Sequence, residues 1–274
     1  MGRRTQRLEV LRWSAHDGAV RRPDTLAAEE PLEIRLDGTS FTVTMRTPGD
    51  DVDLVLGFLV SEGMIRSAED VRSAAYCAGA VDGGVNTYNL LDVVLDPAAS
   101  GRRPVRNVLT TSACGLCGRQ SIEEVRTAAP YDLRQSAGRW DPAQLARLPS
   151  VLQDLQKVFR STGGLHAAAL FAPGDDEPLV AREDVGRHNA VDKVVGHALR
   201  EGWLPLTDRL LLVSGRASFE LVQKAVVAGI PCLAAVSAPS SLAVDLARES
   251  GLTLVGFLRG EAMNVYTGAD RLGL

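Results

Sequence analysis

The sequence predicts an α/β protein with an α+β N-terminal part and a second part built on a mixed sheet. Three observations predict it. Apolar positions alternate on either side of an Asp37-Gly38 turn, as in a hairpin. From residue 209 onward, short apolar runs alternate with helical patterns, the order of a mainly parallel sheet. Those runs are nearly continuous in Leu, Val and Ala, as strands covered on both faces are.

The elements follow in order. Residues 1–30 read as a basic, flexible N-terminal arm with Arg3, Arg4, Arg7, Arg12, Arg21 and Arg22. Pro31 to Thr47 reads as a hairpin, with Leu32, Ile34 and Leu36 answered by Phe41, Val43 and Met45. Asp50 or Asp51 can cap a helix whose apolar face is Leu54, Val55, Phe58 and Leu59 and which closes at Gly63. Residues 86–96 and 104–110 are strand-like, so a first domain is placed at 31–125. Residues 127–140 hold Pro130, Gly138 and no clear period, and mark a boundary.

The second domain, 141–274, opens with a short helix at Asp141-Pro142 and another from Leu148 to Arg160, stopped by Gly163-Gly164. Leu165 to Phe171 reads as a buried strand, Gly174-Asp175-Asp176 as a turn and Leu179 to Arg182 as the returning strand. That antiparallel pair makes the sheet mixed. A helix follows over 187–200, then strand 209–214, helix 217–228, strand 232–236, helix 240–250 and strand 252–258.

Composition bounds the function. The chain has 274 residues, 45% hydrophobic and 23% charged, enough for one large or two small cores. A net charge of −4 argues against a nucleic-acid partner. No apolar run is long enough to span a membrane and no signal peptide is visible, and four cysteines make no disulfide framework, so the expected compartment is a reducing cytoplasm.

The most informative stretch is Thr110-Thr111-Ser112-Ala113-Cys114-Gly115-Leu116-Cys117-Gly118-Arg119. Small neighbours leave both sulfurs open. Ser121 and Glu124 have capping-box spacing, so a helix is expected to start just beyond the pair. Its positive end and Arg119 both favour thiolate, the nucleophilic and metal-binding form. Sulfur chemistry and metal binding both stay open on that evidence. A structural zinc site needs about four ligands, whereas Cys77, Cys232, His16, His166, His188 and His197 are scattered. Cys77 and Cys232 read as small hydrophobes.

Three turns end the parallel strands: Ser214-Gly215-Arg216-Ala217-Ser218, Ser237-Ala238-Pro239-Ser240-Ser241 and Phe257-Leu258-Arg259-Gly260-Glu261. Each offers small residues, hydroxyls or arginine at the sheet edge where open α/β folds bind ligands, and together they suit phosphate groups. A serine before a helix is more often just a cap. Arg182 to Lys193 is unusually polar. It fits a solvated helix start as well as a strand-to-helix corner lining the cleft. His166 lacks the following Glu of zinc deaminases and Pro231-Cys232 lacks their second Cys, so that chemistry is absent and His166 reads as a buried, backbone-bonded histidine.

The longer motifs identify a resemblance. Cys114-Gly-Leu-Cys117-Gly, Glu183-Asp-Val-Gly-Arg-His-Asn-Ala-Val-Asp-Lys193, Ser214-Gly-Arg-Ala-Ser-Phe-Glu220 and Asn264-Val-Tyr-Thr267 resemble the FdhD/NarQ family of formate dehydrogenase accessory sulfurtransferases. The resemblance runs from about Pro31 to the C-terminus. It implies a cytidine-deaminase-like, three-layer α/β/α fold for the second domain. It implies transfer of persulfide sulfur from a cysteine desulfurase to the molybdenum (or tungsten) cofactor of formate dehydrogenase. Cys114 matches the family's persulfide carrier and Cys117 its partner.

Phe257, Leu258, Arg259, Gly260, Glu261 and Ala262 fall where the family binds Mo-bis(molybdopterin guanine dinucleotide). Ser214, Arg216, Ser237 and Ser240 are expected beside them, and GDP-like nucleotides are expected in the same place. Some members carry a basic residue at Ala262, a charge that Arg259 is expected to supply here. The resemblance further implies a homodimer, the formate dehydrogenase catalytic subunit as client and no intrinsic metal. The competing readings are a non-catalytic cofactor chaperone and a zinc protein.

Overall fold

The structure, a computed structural model, describes residues 2–77, 81–82, 85–99, 101–102, 125 and 129–274. Strands β1 (Thr5–Ser14) and β2 (Gly18–Ala27) form an antiparallel ribbon paired along its whole length. The expectation of a flexible arm is corrected there. No one-sided apolar pattern announces these strands, because neither face is buried against the body. The turn at Asp17-Gly18, with Gly18 at φ 69°, was the available signal.

Strands β3 (Glu30–Leu36) and β4 (Thr39–Arg46) form the expected hairpin, with Asp37 and Gly38 at φ 51° and 78°. Both positive values are what a two-residue turn between twisted strands requires. Helix α1 (Asp51–Ser61) follows, then β5 (Val71–Tyr76), the short pair β6 (Val81–Asp82) and β7 (Val85–Asn86), and β8 (Leu90–Leu95). The first sheet has the order β4-β3-β8-β5.

The second part begins with α2 (Pro142–Leu155) and α3 (Lys157–Thr162). One helix runs through Pro149 where the sequence suggested a break. Leu145, Leu148 and Leu152 are fully buried along its inner face, and that burial outweighs the hydrogen bond proline removes. The chain continues through β9 (His166–Phe171), β10 (Pro178–Asp184), α4 (Arg187–Arg200), β11 (Leu210–Val213), α5 (Phe219–Val227), β12 (Cys232–Ala235), α6 (Ser241–Ser250), β13 (Thr253–Arg259) and β14 (Ala262–Thr267).

The sheet order is β10-β9-β11-β12-β13-β14, with β11, β12 and β13 parallel and β9 and β14 antiparallel to their neighbours. From β10 to β13 the parallel strands step one way across the sheet, so right-handed crossovers put α4, α5 and α6 on one face. Ala168, Leu170, Leu211, Val213, Leu233 and Leu254 pack toward them, while Ala167, Ala169, Phe171, Leu210, Leu212 and Ala234 pack toward α2. The layers are therefore helix, sheet, helix. Among the described residues no helix is long and apolar enough to cross a membrane.

The core facing α4 continues into the first part through Leu32, Ile34, Leu54, Leu59 and Leu91. Helices α1 and α4 cross at backbone distance. A Cβ on Gly57 would lie 1.8 Å from the Asp192 carbonyl oxygen, and one on Gly196 1.8 Å from that of Asp53. Only glycine fits either position.

Charges are buried along this seam, each with partners. Asp184 pairs with Lys193 at 2.7 Å and accepts from Thr47 N and Gly186 N. Lys193 Nζ donates to the Thr47 carbonyl at 2.9 Å. Asp192 accepts from Ser61 Oγ at 2.8 Å and pairs with Lys224 at 2.7 Å. Asp53 pairs with Arg182 and Arg200. Glu183 accepts from the Val158 and Phe159 amides at the start of α3. The polar run 182–193 is thus mainly the fastening between the two parts of the chain.

Candidate functional site

The carboxyl ends of β11, β12 and β13 lie side by side, and backbone hydrogen bonds knit their turns together. Ala217 N donates to the Ala238 carbonyl at 3.2 Å, Ser240 N to the Ala217 carbonyl at 3.0 Å and Phe257 N to the Ser237 carbonyl at 3.1 Å. Gly256 permits this approach, since a Cβ there would meet Pro239 Cδ at 2.8 Å. The turn between β13 and β14 is the pair Gly260-Glu261, with Gly260 at φ 58°.

A cleft of about 690 Å³ opens at this edge, between α2, α3 and the strand ends. Gln153, Gln156 and Phe159 form its helical wall, and His166, Ser214, Arg259 and Gly260 its strand-end wall. Its size falls in the range of small-molecule sites.

The electrostatics of the adjoining corner are positive. β9 runs antiparallel to β11, so His166 at its start stands beside the end of β11, against Gly215. Burial holds the His166 pKa below its ordinary value, and the charges of Arg187, His188 and Arg216 push the same way. Arg187 Nε is buried with no hydrogen-bond partner among the described residues. Helix α4 begins here with Arg187 and His188 and has no acid in its first turn. The carboxylate nearest its positive end is Asp184, just before the helix, which accepts from Gly186 N and is already neutralised by Lys193. Helix α5 differs. Glu220 in its first turn is held well below the ordinary carboxylate range, chiefly by its pairing with His188, whose Nε2 lies 3.8 Å from Glu220 Oε2. His188 Nε2 also lies 3.2 Å from Ser218 Oγ.

The expected site residues take several places. Ser214, Arg259 and Gly260 line the cleft. Ser214 Oγ is engaged by Ala167 N at 2.8 Å. Arg216 is exposed and faces the His166 corner. Ser237 supplies a carbonyl to the turn network, and Ser240 Oγ caps α6 through Ala243 N. Phe257 has φ 52° and lies under the Arg259 guanidinium at 5.9 Å from the ring centre. Leu258 is fully buried in the core toward α2, and Glu261 and Ala262 are exposed. His166 proves a half-buried residue of the cleft wall in place of the backbone-bonded core histidine expected.

Cys114 and Cys117 lie outside the described residues, with the strand expected at 104–110 and the helix start at Ser121. Cys232 is fully buried and its thiol is pushed far above its ordinary value by burial, which makes it inert. Sequence reasoning missed Arg187, Gln153 and Gln156 as site residues. Arg187 sat inside a motif already singled out, whereas nothing marks a helical glutamine as cleft-facing until the helix is docked.

Comparison with known proteins places this geometry. The FdhD/NarQ family profile matches residues 27–273. A protein of Nocardia farcinica named sulfur carrier protein FdhD is 62% identical over 99% of this chain and 96% of its own length. One of Streptomyces coelicolor with the same name is 60% identical over 100% of this chain and 98% of its own. A crystal structure from Desulfotalea psychrophila, described as that of a formate dehydrogenase accessory protein, superposes with a TM-score of 0.72 at 24% identity, covering 98% of this chain and 99% of that one. The last likeness establishes the fold.

Proposed function

The chain belongs to the FdhD/NarQ family, and from that premise we propose that it is a sulfur carrier in the maturation of formate dehydrogenase. It takes persulfide sulfur from a cysteine desulfurase and delivers it to the Mo-bis(molybdopterin guanine dinucleotide) cofactor, or its tungsten counterpart, before insertion into the catalytic subunit. The observation that carries this reading is similarity along nearly the whole chain, at 62% and 60% identity, to proteins named for sulfur carriage. The cytoplasm is the compartment in which it works, and it works as a homodimer.

Cys114 acts as the acceptor. Its thiolate attacks the outer sulfur of the desulfurase persulfide, the donor's S–S bond breaks and the desulfurase thiolate leaves. No external oxidant is consumed, because sulfane sulfur moves between thiols. The cofactor is the substrate of the second step. Its pyrophosphates suit the positive charges of Arg187 and Arg216 beside the His166 ring, and the turn Phe257–Ala262 borders the cleft beside them. Intact-mass spectrometry after incubation with a cysteine desulfurase and cysteine should show one added sulfur, removable by dithiothreitol. A chain whose mass never changes defeats the proposal.

The site makes a separate prediction about pH. His166 is held below its ordinary pKa by burial and by neighbouring positive charge. An anion seated at this corner opposes those charges, so GDP should raise the His166 pKa, and GDP should bind more tightly as pH falls through it. A titration of the ring Cε1–H resonance with and without GDP reads both effects. An unmoved pKa at saturating GDP would put the phosphates elsewhere.

A further inference from the structure

The ribbon β1–β2 stands exposed along both faces. It is fastened where Ala28 N donates to the Arg4 carbonyl at 2.9 Å and Arg4 pairs with Asp50 at 2.7 Å, and β2 also neighbours α3, with Ala27 beside Gly164. Yet it carries Leu11 and Trp13 on one face, 64% and 71% exposed, and Leu8, Val20 and Leu26 on the other. An isolated two-stranded ribbon is marginally stable in water, and clustered exposed apolar residues mark a contact surface.

Charge is segregated in the same segment. Six arginines against three acids give residues 2–27 a formal charge of +3, and the whole-chain value of −4 leaves −7 on the rest. Ribbon against ribbon would set like charges together. Ribbon against the body of another copy sets opposite charges together, and the body offers a fitting place. β4 is the outer strand of its sheet, with Val43 60% and Met45 47% exposed. Beside it runs a groove of about 310 Å³ whose lining includes Val43, Leu54 and Phe58 together with three carboxylates, Glu62, Asp192 and Glu220, against one lysine, Lys224, which pairs with Asp192, and His188, which pairs with Glu220. An apolar edge flanked by carboxylates complements an apolar ribbon studded with arginines.

We propose that the β1–β2 ribbon is a clasp that seats on a second copy of this chain, along β4 and its acidic groove. The ribbon precedes residue 27, where the family profile begins, and so lies outside the profile's match. The clasp shares with the sulfur-transfer reading only the expectation of a homodimer, and supplies its contact.

Sedimentation of the full chain at micromolar concentration tests it. The wild type should be a dimer that loosens as salt rises, because exposed opposite charges are screened. The double substitution Leu11→Ser, Trp13→Ser should weaken the dimer at least roughly tenfold, as removal of an aromatic anchor does. Val43→Arg, on the other side of the contact, should weaken it similarly by meeting the ribbon's arginines. All three positions are exposed, and an unchanged melting curve will show that the variants remain folded. A wild-type chain that is monomeric, or a dimer indifferent to both variants, overturns the clasp. A wild type that dimerises through the ribbon but never gains sulfur would defeat the sulfur-carrier reading and leave the clasp standing.

Discussion

Cys114→Ala is expected to abolish sulfur loading and formate dehydrogenase activation while leaving the protein folded. Nucleophilic attack on a persulfide needs a thiolate at the accepting position, and alanine offers none. Cys77 and Cys232 do not replace it. Cys232 is sealed in the core with a raised pKa, and Cys77 lies at the end of β5, outside the cleft lining. Cys117→Ala should still accept one sulfur but support fewer turnovers, as a residue that assists or resolves the persulfide would. Intact mass after desulfurase treatment measures loading, and formate dehydrogenase activity in a deletion strain measures delivery. The same pair of variants separates the sulfur carrier from a cofactor chaperone. A chaperone would mature its client without Cys114, and wild-type loading of Cys114→Ala would remove Cys114 from the mechanism. GDP binding supplies the control, since the cleft residues named above belong to other segments and should hold nucleotide equally well in either variant.

What could be read in the sequence depended on whether a residue's role was local. The strands of the second sheet were legible because both faces are buried, which writes continuous apolar runs into Leu210–Val213 and Cys232–Ala235. The Asp37-Gly38 turn was legible because its backbone demands positive φ. The ribbon was not, since strands with no buried face carry no one-sided alternation. The passage of α2 through Pro149 was hidden because the sheet beneath it decides the matter. Among the candidate site residues, the three strand-end turns were visible as motifs, but their functions divide only in the fold: Ser240 caps a helix, Leu258 fills the core and Arg259 faces the cleft. The run 182–193 looked equally like a solvated helix start or a cleft corner. It proved largely a fastening, because its partners Thr47, Asp53 and Ser61 are more than a hundred residues away.

That fastening makes the largest stability prediction. Lys193 is 1% exposed and Asp184 is fully buried, and the two hold Thr47 of the first part against β10 and α4 of the second. Lys193→Met keeps the length and apolar stem of the side chain but removes its charge. Asp184 would then be a buried carboxylate with hydrogen bonds and no counter-charge, a change that costs about 3–5 kcal/mol. Adding Asp184→Asn removes the stranded charge and keeps an acceptor for the Thr47 and Gly186 amides, so the double variant should be more stable than Lys193→Met alone. Urea unfolding of the wild type, both single variants and the double variant yields the coupling directly. The exposed pair Arg147–Asp176, at 54% and 43% side-chain exposure, provides the contrast. Asp176→Asn should cost no more than about 1 kcal/mol, since water already screens that pair. Equal losses at the two sites would mean that burial does not set the strength of the Asp184–Lys193 pair, and the polar motif would then have to be held for something other than joining the two sheets.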